Sequence, residues 1–373
     1  MKQTLQNHLK NIPGWKTKRK LIAFAVDDYG NVRLHSPEAY SKLKIEDVPL
    51  SGRFDHLDTL ETRQDLSELF ETLQSVKDQN GKHAVFTPYA LPCNINFDAI
   101  KANGFDSYAF ENLPETFKKL EAELPATYSG TYKLLLQGIE EGLYQPEFHG
   151  REHLNLQLFE YLMKECHPAF MKNIELKSYA GIPKNPDWPT IGFTQAYSFW
   201  DEAETKRFPE IIRTGIAAFE KVYGYKPVAF TPPAQQYHES MEPVLLEEGI
   251  RIIDKPLFTR RHLGKGKYKR EFNATGVTKS GYVKIVRNVV FEPTEKRDVD
   301  WVSFALSQIE AAFRWNKPAA ISSHRVNFCG FIDPDNRREG LDKLRQLLKE
   351  ITKRWPDAEF VSIRQLGEII SEG

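Results

Sequence analysis

Cysteine is scarce: Cys93, Cys166 and Cys329 are odd in number, far apart, and never at Cys-x-x-Cys spacing. That excludes a disulfide framework and a thiolate metal site. The three thiols read as reduced and mostly buried, which fits a cytoplasmic protein. Long apolar runs are also missing. No stretch approaches the roughly 20 residues of a membrane span, and the polar segment from Met1 to Trp15 lacks the apolar centre of an export signal. A cytoplasmic location without a membrane partner is therefore the expectation. Nor is there a surplus of either charge, since Lys+Arg and Asp+Glu are both 51. Nucleic-acid binders normally carry a basic excess, so no nucleic-acid partner is expected. The local basic runs Lys16 to Lys20 and Lys265 to Arg270 read as solvated loops. Gly264-Lys265-Gly266-Lys267 lacks the spacing of a phosphate-binding loop and a following Ser or Thr. No Ser sits in a nucleophile elbow.

Short apolar strands alternate with helix-period segments, the pattern of a parallel sheet covered by helices. Leu21 to Val26 is a continuous apolar run that stops at Asp27-Asp28. Leu60, Leu66, Leu69, Phe70, Leu73 and Val76 follow a helical period, and His83 to Leu91 reads as a second strand. Residues 95–145 form an irregular, partly helical insertion. Further strand ends fall at Glu147-Phe148-His149, at Phe230 before Thr231-Pro232-Pro233, and at Ile321 before Ser322-Ser323-His324. Helices are predicted over 156–166, 202–223, 243–248, 299–315 and 341–354, and residues 255–295 read as a loop or hairpin excursion. The six to eight strand–helix units imply a distorted, TIM-like (β/α) barrel over 19–373, preceded by an extension over 1–18.

The polar strand ends carry the chemistry. His149 and His153, four residues apart, would share one face of a helical turn and supply two metal ligands. A carboxylate from Asp27-Asp28 completes three, leaving a fourth position open as catalytic zinc sites do. One Asp can ligate while its neighbour accepts a proton from water, and a lone histidine such as His324 can protonate the leaving group. Among Trp188, Trp200 and Trp301, core packing is expected for two, with sugar stacking open to the third.

In order along the chain, these motifs resemble the polysaccharide deacetylase (NodB-homology) family, carbohydrate esterases built on a distorted (β/α) barrel. Ala25-Val26-Asp27-Asp28-Tyr29-Gly30 stands where that family has Thr-Phe-Asp-Asp-Gly, and the Asp-Asp-Tyr-Gly wording is also similar to the YdjC-like sugar deacetylases. His149-Gly150-Arg151-Glu152-His153 with Asn155-Leu156 matches the second motif, and Ser322-Ser323-His324 the last. The resemblance implies Asp27 as general base, Asp28, His149 and His153 as ligands of one divalent ion, zinc by expectation, and His324 as general acid. The third motif, Arg-x-Pro-Tyr, survives only as Thr231-Pro232-Pro233-Ala234, so Pro233 and Ala234 are candidate substrate or oxyanion residues. Arg287 is a candidate to replace the missing cation, and Asp254 holds the ordinal place of a fourth-motif aspartate. The implied function is removal of N- or O-linked acetyl groups from a saccharide. Amide hydrolysis on a non-sugar substrate and a catalytically impaired carbohydrate-binding homologue are the alternatives.

Overall fold

Leu21 to Val26, each at most 1% exposed, form the middle of a ten-residue central strand. The computed structural model describes residues 2–236 and 238–373. In chain order its strands are β1 (Lys20–Tyr29), β2 (Phe86–Ala90), β3 (Cys93–Ile95), β4 (Phe110–Asn112), β5 (Glu147–Phe148), β6 (Ala229–Phe230) and β7 (Ile252–Asp254). Then follow β8 (Phe258–His262), β9 (Tyr268–Phe272), β10 (Gly276–Val277), β11 (Val283–Ile285), β12 (Val289–Val290), β13 (Ala319–His324) and β14 (Ala358–Phe360). The main sheet runs β10-β11-β7-β6-β5-β2-β1-β13-β12, with β14 also paired to β1. Every pairing in it is parallel except β10 with β11.

Successive side chains of a strand point to opposite faces, and β1 sorts its residues accordingly. Ile22, Phe24 and Val26 join the outer core with helix residues such as Leu69, Ile216 and Leu344. Leu21, Ala23 and Ala25 face inward with Ala229, Ile252, Val283, Ile285 and Ala320, where Ile363, Leu366 and Ile370 of the C-terminal helix plug the bottom. Asp27 continues the inward series, so the same alternation that fills the barrel aims its carboxylate into the upper mouth.

Curling is forced by the connection from β11 to β12. These strands lie seven spacings apart along the sheet path, which would be about 34 Å if the sheet were flat. Only Val286, Arg287 and Asn288 join them, and that linker reaches about 14 Å at full extension. The sheet therefore rolls into a distorted, incompletely hydrogen-bonded barrel whose seam is this tripeptide. Asn288 stitches it to β13 by donating to the Pro318 carbonyl and accepting from the Ala320 N–H.

Several expectations are corrected in detail. The excursion at 255–295 contains the β8–β9 hairpin, but β11 and β12 belong to the barrel itself. Strands of three and two residues are too short to display a period. The helix expected from Glu202 divides into a 3-10 turn (Glu202–Arg207) and an α-helix (Phe208–Tyr223) that begins with Pro209 in its first turn. The insertion between β2 and β5 carries the β3–β4 hairpin and helices including Leu113–Glu123 and Thr131–Glu140. Trp301 alone of the three tryptophans is a core residue, while Trp188 and Trp200 are partly exposed. Before the barrel, Lys10 reaches Gln308 at 2.8 Å, and the Trp15 N–H donates to the Thr275 carbonyl at 2.7 Å. Among the described residues, no helix is long and apolar enough to cross a membrane.

Gly340 lies inside the helix Pro334–Arg354 where that helix presses on the loop after β13. Gly→Ala in a helix interior usually stabilises by about 1 kcal/mol. Here a Cβ would stand 1.9 Å from the Asn327 carbonyl oxygen, a backbone atom that cannot swing aside. Gly340→Ala is expected to lose stability, by about 1–3 kcal/mol for the overpacking. Urea unfolding checks it, and a raised midpoint contradicts the packing described.

Candidate metal centre

The C-terminal strand ends form one rim, the face where (β/α) barrels place their chemistry. Asp27 and Asp28 come from β1, His149 from just past β5, Asp254 from β7 and His324 from β13. Consecutive strand residues should point apart, yet both aspartates line one pocket of about 320 Å³. Asp28 resolves the conflict by adopting φ 78°, at an irregularity where the β1–β2 register shifts between Val26 and Tyr29. Such backbone strain costs on the order of 1–3 kcal/mol at a non-glycine residue, and here it turns a second carboxylate into the site.

His149 and His153 are not on a helix. Gly150, at φ 110°, turns the chain immediately after β5, and residues 151–154 form a bend. The spacing of four is bridged by a loop, and the helix starts only at Leu156, capped by the Asn155 side chain on the Leu158 N–H. The Asn155 amide also donates to the carbonyls of Gln195 and Ser198, tying a wall of the pocket to the histidine loop.

One oxygen of Asp28 lies 3.4 Å from Nε2 of His149 and 3.1 Å from Nε2 of His153. Ligand atoms from the three residues all fall within 4.8 Å of one another. Nδ1 of His149 is 2.8 Å from the Thr231 carbonyl, which can only accept, so Nδ1 carries the proton and the Nε2 lone pair faces the centre. That Nε2 is buried without a hydrogen-bond partner. Converging lone pairs in a buried place repel unless a cation sits among them. With metal–ligand bonds of about 2.1 Å, a tetrahedral edge is about 3.4 Å, close to the separations present. The group fits a divalent ion.

Asp27 has a different partner. Arg287, at the barrel seam, grips both its oxygens, at 2.7 and 2.8 Å. The same guanidinium donates to Asp254 at 2.6 Å and to Ser322 at 3.3 Å, and lies over the Tyr89 ring. Its side chain is 6% exposed. Arg287 therefore binds carboxylates of the protein and is not presented to a ligand. Burial raises Asp254 to about 6 despite Arg287. Asp254 serves the arginine.

The partner of His324 is Glu292, two residues beyond β12, which the sequence reading missed. Its oxygen lies 2.7 Å from Nδ1 of His324, while Nε2 is 3.9 Å from Asp27. Glu292 also receives Arg53 and, at 2.7 Å, the Asn327 amide. Burial disfavours a charged imidazole, yet Glu292, Asp28 and Asp27 raise His324 to about 9. The available signal was the apolar run Val289-Val290-Phe291 ending in a carboxylate, a short copy of the β1 pattern.

Pro232, Ala234 and Gln235 line the pocket, while Pro233 is not among the lining residues and has no N–H to donate. Ala234 (φ 53°) and Gln235 (φ 56°) are both left-handed, so this wall too is held under strain. Arg33 and Phe54 line the opposite side, with Arg33 held by Asp55 at 2.6 Å.

Comparison with family models and with curated proteins finds no match. Among solved structures, the chain is similar to a protein named as a polysaccharide deacetylase from Mycobacterium smegmatis (12% identity, TM-score 0.48, covering 96% of this chain and 93% of that one). It is also similar to Puue allantoinase (10%, 0.46, covering 96% and 93%). A third is a family 4 carbohydrate esterase from Bacillus anthracis (11%, 0.37, covering 98% and 91%).

A three-ligand centre cannot spare a member. His149→Ala and His153→Ala are each expected to abolish stoichiometric binding of a divalent ion, read by elemental analysis after dialysis. Full occupancy in either variant contradicts the ligand set.

Proposed function

We propose that the protein is a metal-dependent hydrolase that removes an acyl group, acetyl by its motifs, from a saccharide. The observation that carries this reading is the division between two adjacent carboxylates. Asp28 faces two imidazoles, and Asp27 faces a buried arginine and, across the pocket, a cationic histidine. One carboxylate with two imidazoles suits zinc. A divalent ion held there supplies Lewis acidity toward the acyl carbonyl and makes water a better acid.

The remaining work belongs to the chain. Asp27 accepts the proton of the attacking water, and Arg287 keeps it oriented while leaving carboxylate lone pairs free for that proton. His324, held protonated by Glu292, donates to the departing nitrogen or oxygen. The Ala234 N–H is a donor for the developing oxyanion. Pro232 and Pro233 stiffen the segment that positions it. The saccharide assignment rests on the ordered motif resemblance from Asp27 to His324.

His324→Ala tests the reading. Turnover of an N-acetylated sugar is expected to fall by about 10²–10⁴, with a much smaller fall on an aryl acetate, whose leaving group needs no proton. Equal losses on both remove the acid assignment. Turnover of a non-sugar amide with none of the acetylated sugar moves the substrate elsewhere.

The pH profile supplies an independent check. His324 stays charged up to about 9, so wild-type activity is expected to decline only as pH rises through that region. Glu292→Gln deletes the charge that raises it and leaves the burial that lowers it. The alkaline limb should therefore move to lower pH; an unmoved limb assigns it to another group.

A further inference from the structure

The basic run at Lys265 to Arg270 is not a loose loop. It lies in and before β9 of the hairpin that rises from the rim four residues after Asp254. Residues 258–272 carry six cations and one acid in a chain whose formal charge is zero. Residues directly opposite in an antiparallel pair share a face. Phe258 is opposite Phe272, and Arg260 is opposite Arg270, so two rings and two guanidiniums occupy one face. The rings are 5.5 Å apart and Arg270 lies 4.2 Å over Phe258. All four residues are exposed. Like charges directly opposite destabilise a hairpin. Neither arginine makes an ion pair among the described residues, whereas Arg261 on the other face pairs with Glu239 and Glu271.

The hairpin is anchored to two of the segments that wall the metal pocket. His262 packs on Phe199 and the Lys265 N–H donates to the Trp200 carbonyl, in the segment that carries Thr194. Arg261 holds Glu239, in the segment that carries Ala234 and Gln235. The hairpin is thus fixed to segments that line the metal pocket.

We propose that this face binds an acidic saccharide chain whose acylated unit occupies the metal pocket. Sugar rings lie on the phenyl rings, and the arginine forks take the carboxylates bidentately. Those two arginines, directly opposed and unpaired, acquire their counter-charge from the ligand. The placement of the acylated unit rests on the hydrolase reading; the binding itself does not.

Anisotropy of a labelled oligouronate, beside a neutral chito-oligosaccharide of equal length, reads this without turnover. The oligouronate is expected to bind more tightly, and more weakly as salt is raised. Arg260→Gln with Arg270→Gln should weaken it by roughly tenfold, leaving the neutral oligomer and aryl-acetate turnover unchanged. Phe258→Ser with Phe272→Ser should weaken both oligomers. Equal affinity for the two oligomers, or an unaltered Kd in the arginine variant, overturns the proposal. So does tighter binding of single-stranded DNA or of phosphatidylserine vesicles than of the oligouronate. Failure of the hydrolase reading is separate: the wild type would then bind the oligouronate yet turn over no acetate.

Discussion

A single buried guanidinium sits at the barrel seam and holds two of the three rim aspartates. Arg287 lies in the three-residue seam between β11 and β12, and reaches Asp27, Asp254 and Ser322 on three other strands. Removing one member of such a buried charge cluster costs about 3–5 kcal/mol, because the remaining charges lose their compensation. Closure of the fold and placement of Asp27 therefore depend on the same interaction.

With Asp27 held by Arg287, its neighbour is left to face the imidazoles. The left-handed backbone at Asp28 makes the second direction possible, and Gly150 does the same for the histidine loop. Around this pair the rim adds two further supports. Thr231 fixes the tautomer of His149 through a backbone carbonyl, and Glu292 fixes the orientation and charge of His324. Three of the nine non-glycine residues with left-handed backbone among the described residues, Asp28, Ala234 and Gln235, line the pocket.

Much of this was legible in the sequence, for physical reasons that differ by residue. The apolar run at Leu21 to Val26 ends in charge because a buried parallel strand opens onto a rim. His324 was found by the same logic. The helical placement of His149 and His153 failed because spacing alone cannot distinguish a helical turn from a loop pivoting on glycine. Arg287 was noticed for its charge, but its partners were hidden. They come from strands more than thirty residues away in sequence, and the seam strands are too short to leave a pattern. Glu292 was missed for the same reason. Asp254 was noted only for its place in order, and its partner is Arg287.

The central claim is that Arg287 keeps Asp27 out of the metal's ligand set and assigns that role to Asp28. Anomalous diffraction at the zinc edge, from crystals soaked in Zn²⁺, tests it most directly. The account predicts one peak about 2.0–2.2 Å from an Asp28 oxygen and from Nε2 of both His149 and His153, with Asp27 still paired to Arg287. A zinc ion ligated by Asp27 with the arginine displaced, or a peak away from these residues, would contradict it.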